Sequence, residues 1–112
     1  MIESDRIVDV KHRNKILDEA KALREKADYQ GALKLYKELL ATDAEDAEVM
    51  YFAGMTLWLL EEREAAEQHI AAAIEKGHST EAVYFNFGML LQEQEKYQQA
   101  HNSTENLNLY PD

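Results

Sequence analysis

The sequence repeats itself with a period of 34 residues. Small or branched apolar residues recur at this spacing in three sets: Ala32, Ala66 and Ala100; Leu23, Leu57 and Leu91; and Ala20, Gly54 and Gly88. Periods of about 20–50 residues are typical of arrays in which each repeat is one supersecondary unit stacked on its neighbours. A single unit cannot bury its apolar face alone, and about three are needed for stability. The 112 residues hold three periods, so we expect one small domain of three stacked units.

Helical spacing indicates that each unit is a pair of helices. Pro and Gly are scarce, with one and four residues respectively, which favours helix over turn-rich structure. We predict first helices at about 5–27, 46–60 and 80–94, and second helices at about 29–42, 62–76 and 96–109. A buried stripe with i, i+3, i+4, i+7 spacing is predicted at Met50, Ala53, Gly54 and Leu57, and again at Tyr84, Phe87, Gly88 and Leu91.

Residues typical of helix ends flank these segments. Asp28, Asp46 and Ser79 are expected N-caps, Gly77 suits a helix C-terminus, and Pro111 should stop the last helix. A glycine in mid-helix is unfavourable, so Gly54 and Gly88 predict that the paired helix approaches closely at both positions. Residues 1–12 lie outside the repeat and are expected to lengthen the first helix, with a short extended arm as the alternative.

These residues resemble the tetratricopeptide repeat family over about 13–112. A large residue stands four positions before a small one in each unit, as in Ile16/Ala20, Met50/Gly54 and Tyr84/Gly88. The aromatic that begins the second helix is present at Tyr29 and Tyr97, but the middle unit has Arg63. A large residue is missing at Thr104, and the proline expected at the end of a unit is missing at Ala44 and His78. The resemblance implies an all-α, right-handed solenoid of three helix–turn–helix repeats at 13–46, 47–80 and 81–112.

The resemblance also implies a protein-interaction scaffold whose first helices line a concave groove. Helical geometry places ten residues on or beside that groove: Leu17, Lys21, Arg24, Tyr51, Phe52, Met55, Trp58, Phe85, Asn86 and Met89. Trp and Met are frequent in strong or adaptable binding surfaces, so an apolar peptide or helix of a partner is the expected ligand. Family members that hold a partner's C-terminal carboxylate use a clamp of basic and amide residues. The corresponding positions here include Leu17, Phe52 and Ala82, with Lys21 the one cation, so that ligand is not expected.

Two other interpretations stay open. The aromatic residues could pack within the repeats, or the chain could assemble with itself, its groove filled by its own residues. The last predicted helix is rich in Asn, Gln, Ser and Thr, and it could be a polar cap, the edge of a longer repeat array, or a surface covered by a second copy as a homodimer. In the last two cases the contact residues would be Leu107, Leu109 and Tyr110.

Composition argues against several other functions. The net charge of -10 would repel nucleic acid and anionic lipid, and no apolar run approaches the about 20 residues that span a membrane. The sequence has no cysteine and no His-rich metal motif, and His69 and His101 are expected to be solvated. It also has no phosphate-binding glycine loop and no nucleophile elbow, so we expect neither a cofactor nor catalysis. The cytoplasm is the default location.

Overall fold

The computed structural model describes the backbone of residues 2–109 and the side chains of residues 10–96 and Gln98. Over this backbone the protein is all-helical, as predicted, with five helices and no strand. The helices are α1 (Ile2–Glu25), α2 (Tyr29–Thr42), α3 (Ala47–Leu59), α4 (Arg63–Glu75) and α5 (Glu81–Leu109). They form two compact units, Met1–Ser79 with α1 to α4 and Thr80–Asp112 with α5.

In the first unit each helix packs on the next, α1 on α2, α2 on α3 and α3 on α4. The predicted stripe of α3 is buried, since Ala53 is fully inaccessible and Met50, Gly54 and Leu57 are also buried. The facing residues of α4 are buried as well, and include Ala66 and Ile70. Two helix pairs therefore enclose one apolar core, which is the arrangement that the 34-residue period predicted.

Gly54 allows α3 and α4 to approach closely. A Cβ atom at this position would lie 2.7 Å from Cγ1 of Ile70, 3.2 Å from the carbonyl oxygen of Ala66 and 3.2 Å from Cβ of His69. Cβ contacts shorter than 3.0 Å require a neighbour to move. The prediction of a close helix approach at Gly54 is therefore confirmed. The same prediction at Gly88 is wrong, because a Cβ atom there would meet none of the described atoms within 4 Å.

Two turns within the helix pairs use the left-handed backbone conformation. Ala27 between α1 and α2 has φ 65°, and Glu61 between α3 and α4 has φ 64°. Each is followed by a backbone hydrogen bond that reaches back five residues, from Asp28 N to Leu23 O at 2.8 Å and from Glu62 N to Leu57 O at 2.9 Å. These are Schellman-type helix ends, in which the left-handed position is most often glycine. Gly77 after α4, with φ 107°, ends that helix as predicted.

The caps follow the sequence with one exception. The Asp28 carboxylate accepts a hydrogen bond from Gly31 N at 3.0 Å, and that of Asp46 accepts one from Val49 N at 3.4 Å. Ser79 was the wrong residue for the third cap, because the hydroxyl of Thr80 accepts the bond from Val83 N at 3.3 Å. Pro111 lies outside the described residues.

The third helix pair predicted at 80–94 and 96–109 is absent, because α5 runs without a break from Glu81 to Leu109. The sequence differs from both earlier turns at the capping position, where Asp28 and Glu62 correspond to Lys96. Asp28 forms a side-chain cap, Glu62 forms none, and a lysine has no acceptor with which to cap. The preceding position does not explain the difference, because Glu95 is identical to the left-handed Glu61. The segment 91–100 also consists almost wholly of strong helix formers, so nothing in it stops the helix.

Candidate functional site

Seven of the ten predicted groove residues lie in the first unit, on two helices. Leu17, Lys21 and Arg24 belong to α1, and Tyr51, Phe52, Met55 and Trp58 belong to α3. The side chain of Lys21 is exposed, and the other six are half-buried. Tyr51, Met55 and Trp58 follow i, i+4, i+7 spacing, so they form one stripe along α3 beside the fully buried stripe of Met50 and Leu57.

Aromatic side chains connect this surface to the core. The Tyr36 and Phe52 rings are stacked, with centroids 6.0 Å apart and an interplanar angle of 24°. Phe52 also lies 5.8 Å from Tyr51, and Tyr51 lies 5.2 Å from the imidazole of His78. Ring pairs at such separations add stability beyond their buried area. The four rings form a continuous ladder, which we call the ring ladder, from the core of α2 to the loop after α4.

Two arginines lie over aromatic faces of this surface. Cζ of Arg24 is 5.7 Å from the Phe52 centroid, which joins α1 to α3. Cζ of Arg63 is 5.5 Å from the Trp58 ring. Both distances suit a cation–π interaction. Arg63 stands where the family has an aromatic residue, so this departure from the pattern places a cation beside the tryptophan.

The sequence did not indicate two members of the ring ladder as site residues. Tyr36 lies on the core side of α2 and is buried, with 1% exposure. Burial raises the pKa of its hydroxyl, and the nearby charge of Arg24 opposes that rise. His78 lies in the loop after α4, where helical periodicity carries no information about direction. Its position in place of an expected proline was the only available signal.

The remaining predicted residues belong to the second unit. Phe85 and Met89 are one helical turn apart on α5 and are 66% and 50% exposed, while Asn86 is half-buried. Ala82, from the rejected carboxylate clamp, is exposed. The side chains of Leu107 and Leu109 and the whole of Tyr110 lie outside the described residues.

His69 differs from its predicted solvated state. It is half-buried, its Nδ1 lies 2.8 Å from the carbonyl oxygen of Ala65, and its Cβ faces Gly54 on α3. The side chain therefore packs at the close approach of the two helices. His101 lies outside the described side chains.

The chemistry available on this surface is apolar, aromatic and cationic. Among the described residues no group of three His, Asp or Glu side chains is arranged to hold a metal ion. None of the described helices is long and apolar enough to span a bilayer. The surface can contribute ring faces, a methionine and cations to a bound partner.

The comparison with known families agrees with this fold. The family model of the tetratricopeptide repeat matches residues 22–87, which is more than half of the chain and includes both left-handed turns. The chain therefore belongs to the tetratricopeptide repeat family. Repeats of this family generally mediate protein–protein interaction. No curated protein matches the chain.

Proposed function

We propose that the protein is an interaction scaffold that binds an apolar segment of a partner on the face formed by α1 and α3. The half-buried stripe of α3 carries this proposal. Of the thirteen residues in α3 only Glu48 is charged, so the helix is apolar on nearly all sides. A helix of that kind is normally buried on all sides. Here Tyr51, Met55 and Trp58 are each only partly covered.

The proposed ligand follows from the side chains on this face. The half-buried side chains of Tyr51, Phe52 and Met55 offer apolar contacts. Trp58 is the residue type most often dominant in binding energy. Lys21 and Arg24 add positive charge at the α1 side. A short amphipathic helix with apolar anchors at i, i+3, i+4, i+7 has the complementary shape. Phe85, Asn86 and Met89 occupy the same repeat positions on α5 and provide a second surface of the same chemistry.

The family resemblance supports the finer parts of this proposal. They are the right-handed stacking of the repeats, the concave groove and the repeat boundaries at 13–46, 47–80 and 81–112. Protein partners are consistent with the family, and no cofactor is required for binding of this kind. The cytoplasmic location stays a prediction.

A peptide selection tests the function. Binders selected from a random 16-residue peptide library on the wild-type chain are labelled with fluorescein, and their affinity is measured by polarisation. The variant Trp58→Ala/Met55→Ala should bind at least about tenfold more weakly, since each contact in a well-packed centre contributes more than 1 kcal/mol. Its far-UV circular dichroism should equal that of the wild type.

The control is Val10→Ala, which shortens an exposed apolar side chain elsewhere on α1. This variant should retain full affinity. Collapse of helicity in the Trp58/Met55 variant would assign both residues to the core, and unchanged affinity with intact helicity would contradict the proposed site.

A further inference from the structure

Within its described side chains, the α5 helix has an apolar face that is exposed to solvent. Tyr84, Gly88 and Leu91 correspond by the 34-residue period to the buried residues Met50, Gly54 and Leu57. Tyr84 is 53% exposed and Leu91 is 39% exposed, whereas Leu57 is 6% exposed. We call Tyr84, Gly88 and Leu91 the open stripe. Its sequence is typical of a face that packs on another helix, but its side chains are exposed to solvent.

The two glycines show the same difference most directly. A Cβ at Gly54 would meet Ile70 at 2.7 Å, but a Cβ at Gly88 would meet nothing within 4 Å. A glycine inside a helix is unfavourable relative to alanine. In the first unit the close approach of α4 explains the glycine. The same residue at the equivalent position of α5 has no such neighbour among the residues that the structure describes.

The sequence that would cover the open stripe is present in the chain, at the other end of the same helix. Ala66 of α4 contacts the Gly54 position, and its equivalent is Ala100. Because α5 is continuous, Ala100 lies about 18 Å further along the axis than Gly88, at 1.5 Å per residue. Residues 96–109 therefore cannot reach the open stripe of their own chain while α5 stays straight.

We infer that two copies of the chain exchange the ends of α5. Residues 96–109 of each copy pack antiparallel on the open stripe of the other, in the place that α4 occupies on α3. The contact is isologous, because each chain offers the same stripe and the same segment, so it closes as a twofold dimer. This is a domain swap of the second helix of the third repeat.

A second copy is favoured over closure within one chain by the continuity of α5. Closure would break this helix and require Glu95 to leave the helical conformation for the left-handed one that its equivalent Glu61 adopts. The new helix would also begin without a side-chain cap at Lys96, as α4 does at Glu62. Exchange between two copies forms the same helix contact while α5 stays continuous. It requires neither a left-handed Glu95 nor a new helix start at Lys96. The inference uses the open stripe and is independent of the proposed peptide site on α1 and α3.

Solution mass tests the assembly. Light scattering over a concentration series should give twice the chain mass for the full wild-type chain. Gly88→Leu places a bulky side chain at the predicted helix contact and should raise the dissociation constant at least about tenfold, as overpacking of a close contact does. Ala82→Leu adds a side chain at an exposed site on the opposite side of α5 and should leave the dimer unchanged.

A second variant tests the exchange without adding bulk to the stripe. Glu95→Gly/Lys96→Asp supplies the left-handed residue and the cap that the first turn obtains from Ala27 and Asp28. We expect this variant to close its third repeat within one chain and to be a monomer with unchanged helicity. A dimer in this variant would contradict the inference.

Spin labels identify which chain provides the covering helix. The chain has no cysteine, so Glu81→Cys/Asn108→Cys gives two unique labelling sites. Within a straight α5 they are about 40 Å apart, too far for dipolar line broadening. Antiparallel helices whose axes are about 8–10 Å apart would bring such sites close enough for broadening. Exchange predicts broadening in the dimer that disappears on dilution with unlabelled chain.

Three further results would overturn the inference. They are a wild-type chain that is monomeric at all concentrations, a dimer whose mass is insensitive to Gly88→Leu, and broadening in the labelled Glu81→Cys/Asn108→Cys chain that survives dilution with unlabelled chain. The last result would show closure within one chain. In the turn-restored variant, by contrast, broadening should survive dilution.

Discussion

Arg13 on α1 and Asp46 at the start of α3 form a two-point ion pair. Nε of Arg13 lies 2.7 Å from Oδ2 of Asp46, and Nη2 lies 3.1 Å from Oδ1. The same Nη2 donates to Oε1 of Glu48 at 2.7 Å. Since Asp46 also accepts from Val49 N, one carboxylate closes the N-terminus of α3 and attaches α1 to it. The pair thus joins the first repeat to the second.

Replacement of Arg13 by glutamine should destabilise the chain by about 1–3 kcal/mol. The carboxylate of Asp46 is only 14% exposed, and hydrogen bonds between charged groups at such sites contribute more than those of exposed pairs. The free energy of unfolding is measured by urea titration. Lys15→Gln removes the same charge from an exposed site on α1 and should change stability by less than about 0.5 kcal/mol. Equal effects of the two variants would show that the pair contributes nothing specific.

The same pair predicts a stability loss in acid. The hydrogen bond from Arg13 lowers the pKa of Asp46 below its ordinary value, assisted by the backbone of Val49. The folded state therefore binds the proton more weakly than the unfolded chain, and the pair stabilises the fold fully above about pH 4. This contribution is lost as the pH falls through the lowered pKa. Urea titrations at several pH values should show the difference between wild type and Arg13→Gln shrinking below about pH 4. A constant difference would contradict the assignment.

Gly54→Ala should destabilise the first unit by about 1–3 kcal/mol despite the better helix propensity of alanine, because the added methyl overlaps Ile70 and the backbone of Ala66. Thermal unfolding of the single variants and of Gly54→Ala/Ile70→Ala completes a double-mutant cycle. The double variant should lose less than the sum of the single losses, since removal of the Ile70 side chain makes room for the methyl. Simple additivity would mean that the clash is relieved elsewhere.

Glu61→Gly should stabilise the chain by about 0.5–1 kcal/mol. Glu61 has φ 64°, and glycine removes the Cβ strain of that conformation. The matched control is Glu64→Gly, which removes an identical exposed side chain from the first turn of α4. There the backbone is helical, and glycine should destabilise by about 0.5–1 kcal/mol. The two melting temperatures should therefore move in opposite directions.

The first two repeats could be predicted from the sequence because their signals agree. Apolar spacing, the caps Asp28 and Asp46, and the small residue Gly54 all indicate the same helix pairs. In the third repeat the signals conflict. Tyr84, Gly88 and Leu91 have the correct packing pattern, but Lys96 has no side-chain acceptor for a cap, and Glu95 stays helical although its identical equivalent Glu61 is left-handed. The prediction relied on the 34-residue period and not on the residues at the turn. In the structure the helix propensity of residues 91–100 keeps α5 continuous.

The candidate surface was predicted only in part. Helical geometry gave the half-buried stripe of α3, because that stripe follows from the position of the core stripe beside it. The ring ladder was not predicted, because the contact of Tyr36 with Phe52 joins two helices and His78 lies in a loop. The cation–π contact of Arg63 with Trp58 was also not predicted, because it depends on side-chain directions across a turn.

Ala27 and Glu61 share no chemical property, yet they have nearly the same backbone dihedral, 34 residues apart. An alignment of side chains would score this pair as a mismatch. What recurs there is a torsion angle, maintained by the hydrogen bonds around it. The third member of the series, Glu95, is helical. Residue identities thus repeat over three periods in this chain, whereas the left-handed turn within a helix pair occurs in only two of them. The backbone torsion angle is therefore a stricter criterion than residue identity for the point at which the first helix of a repeat ends.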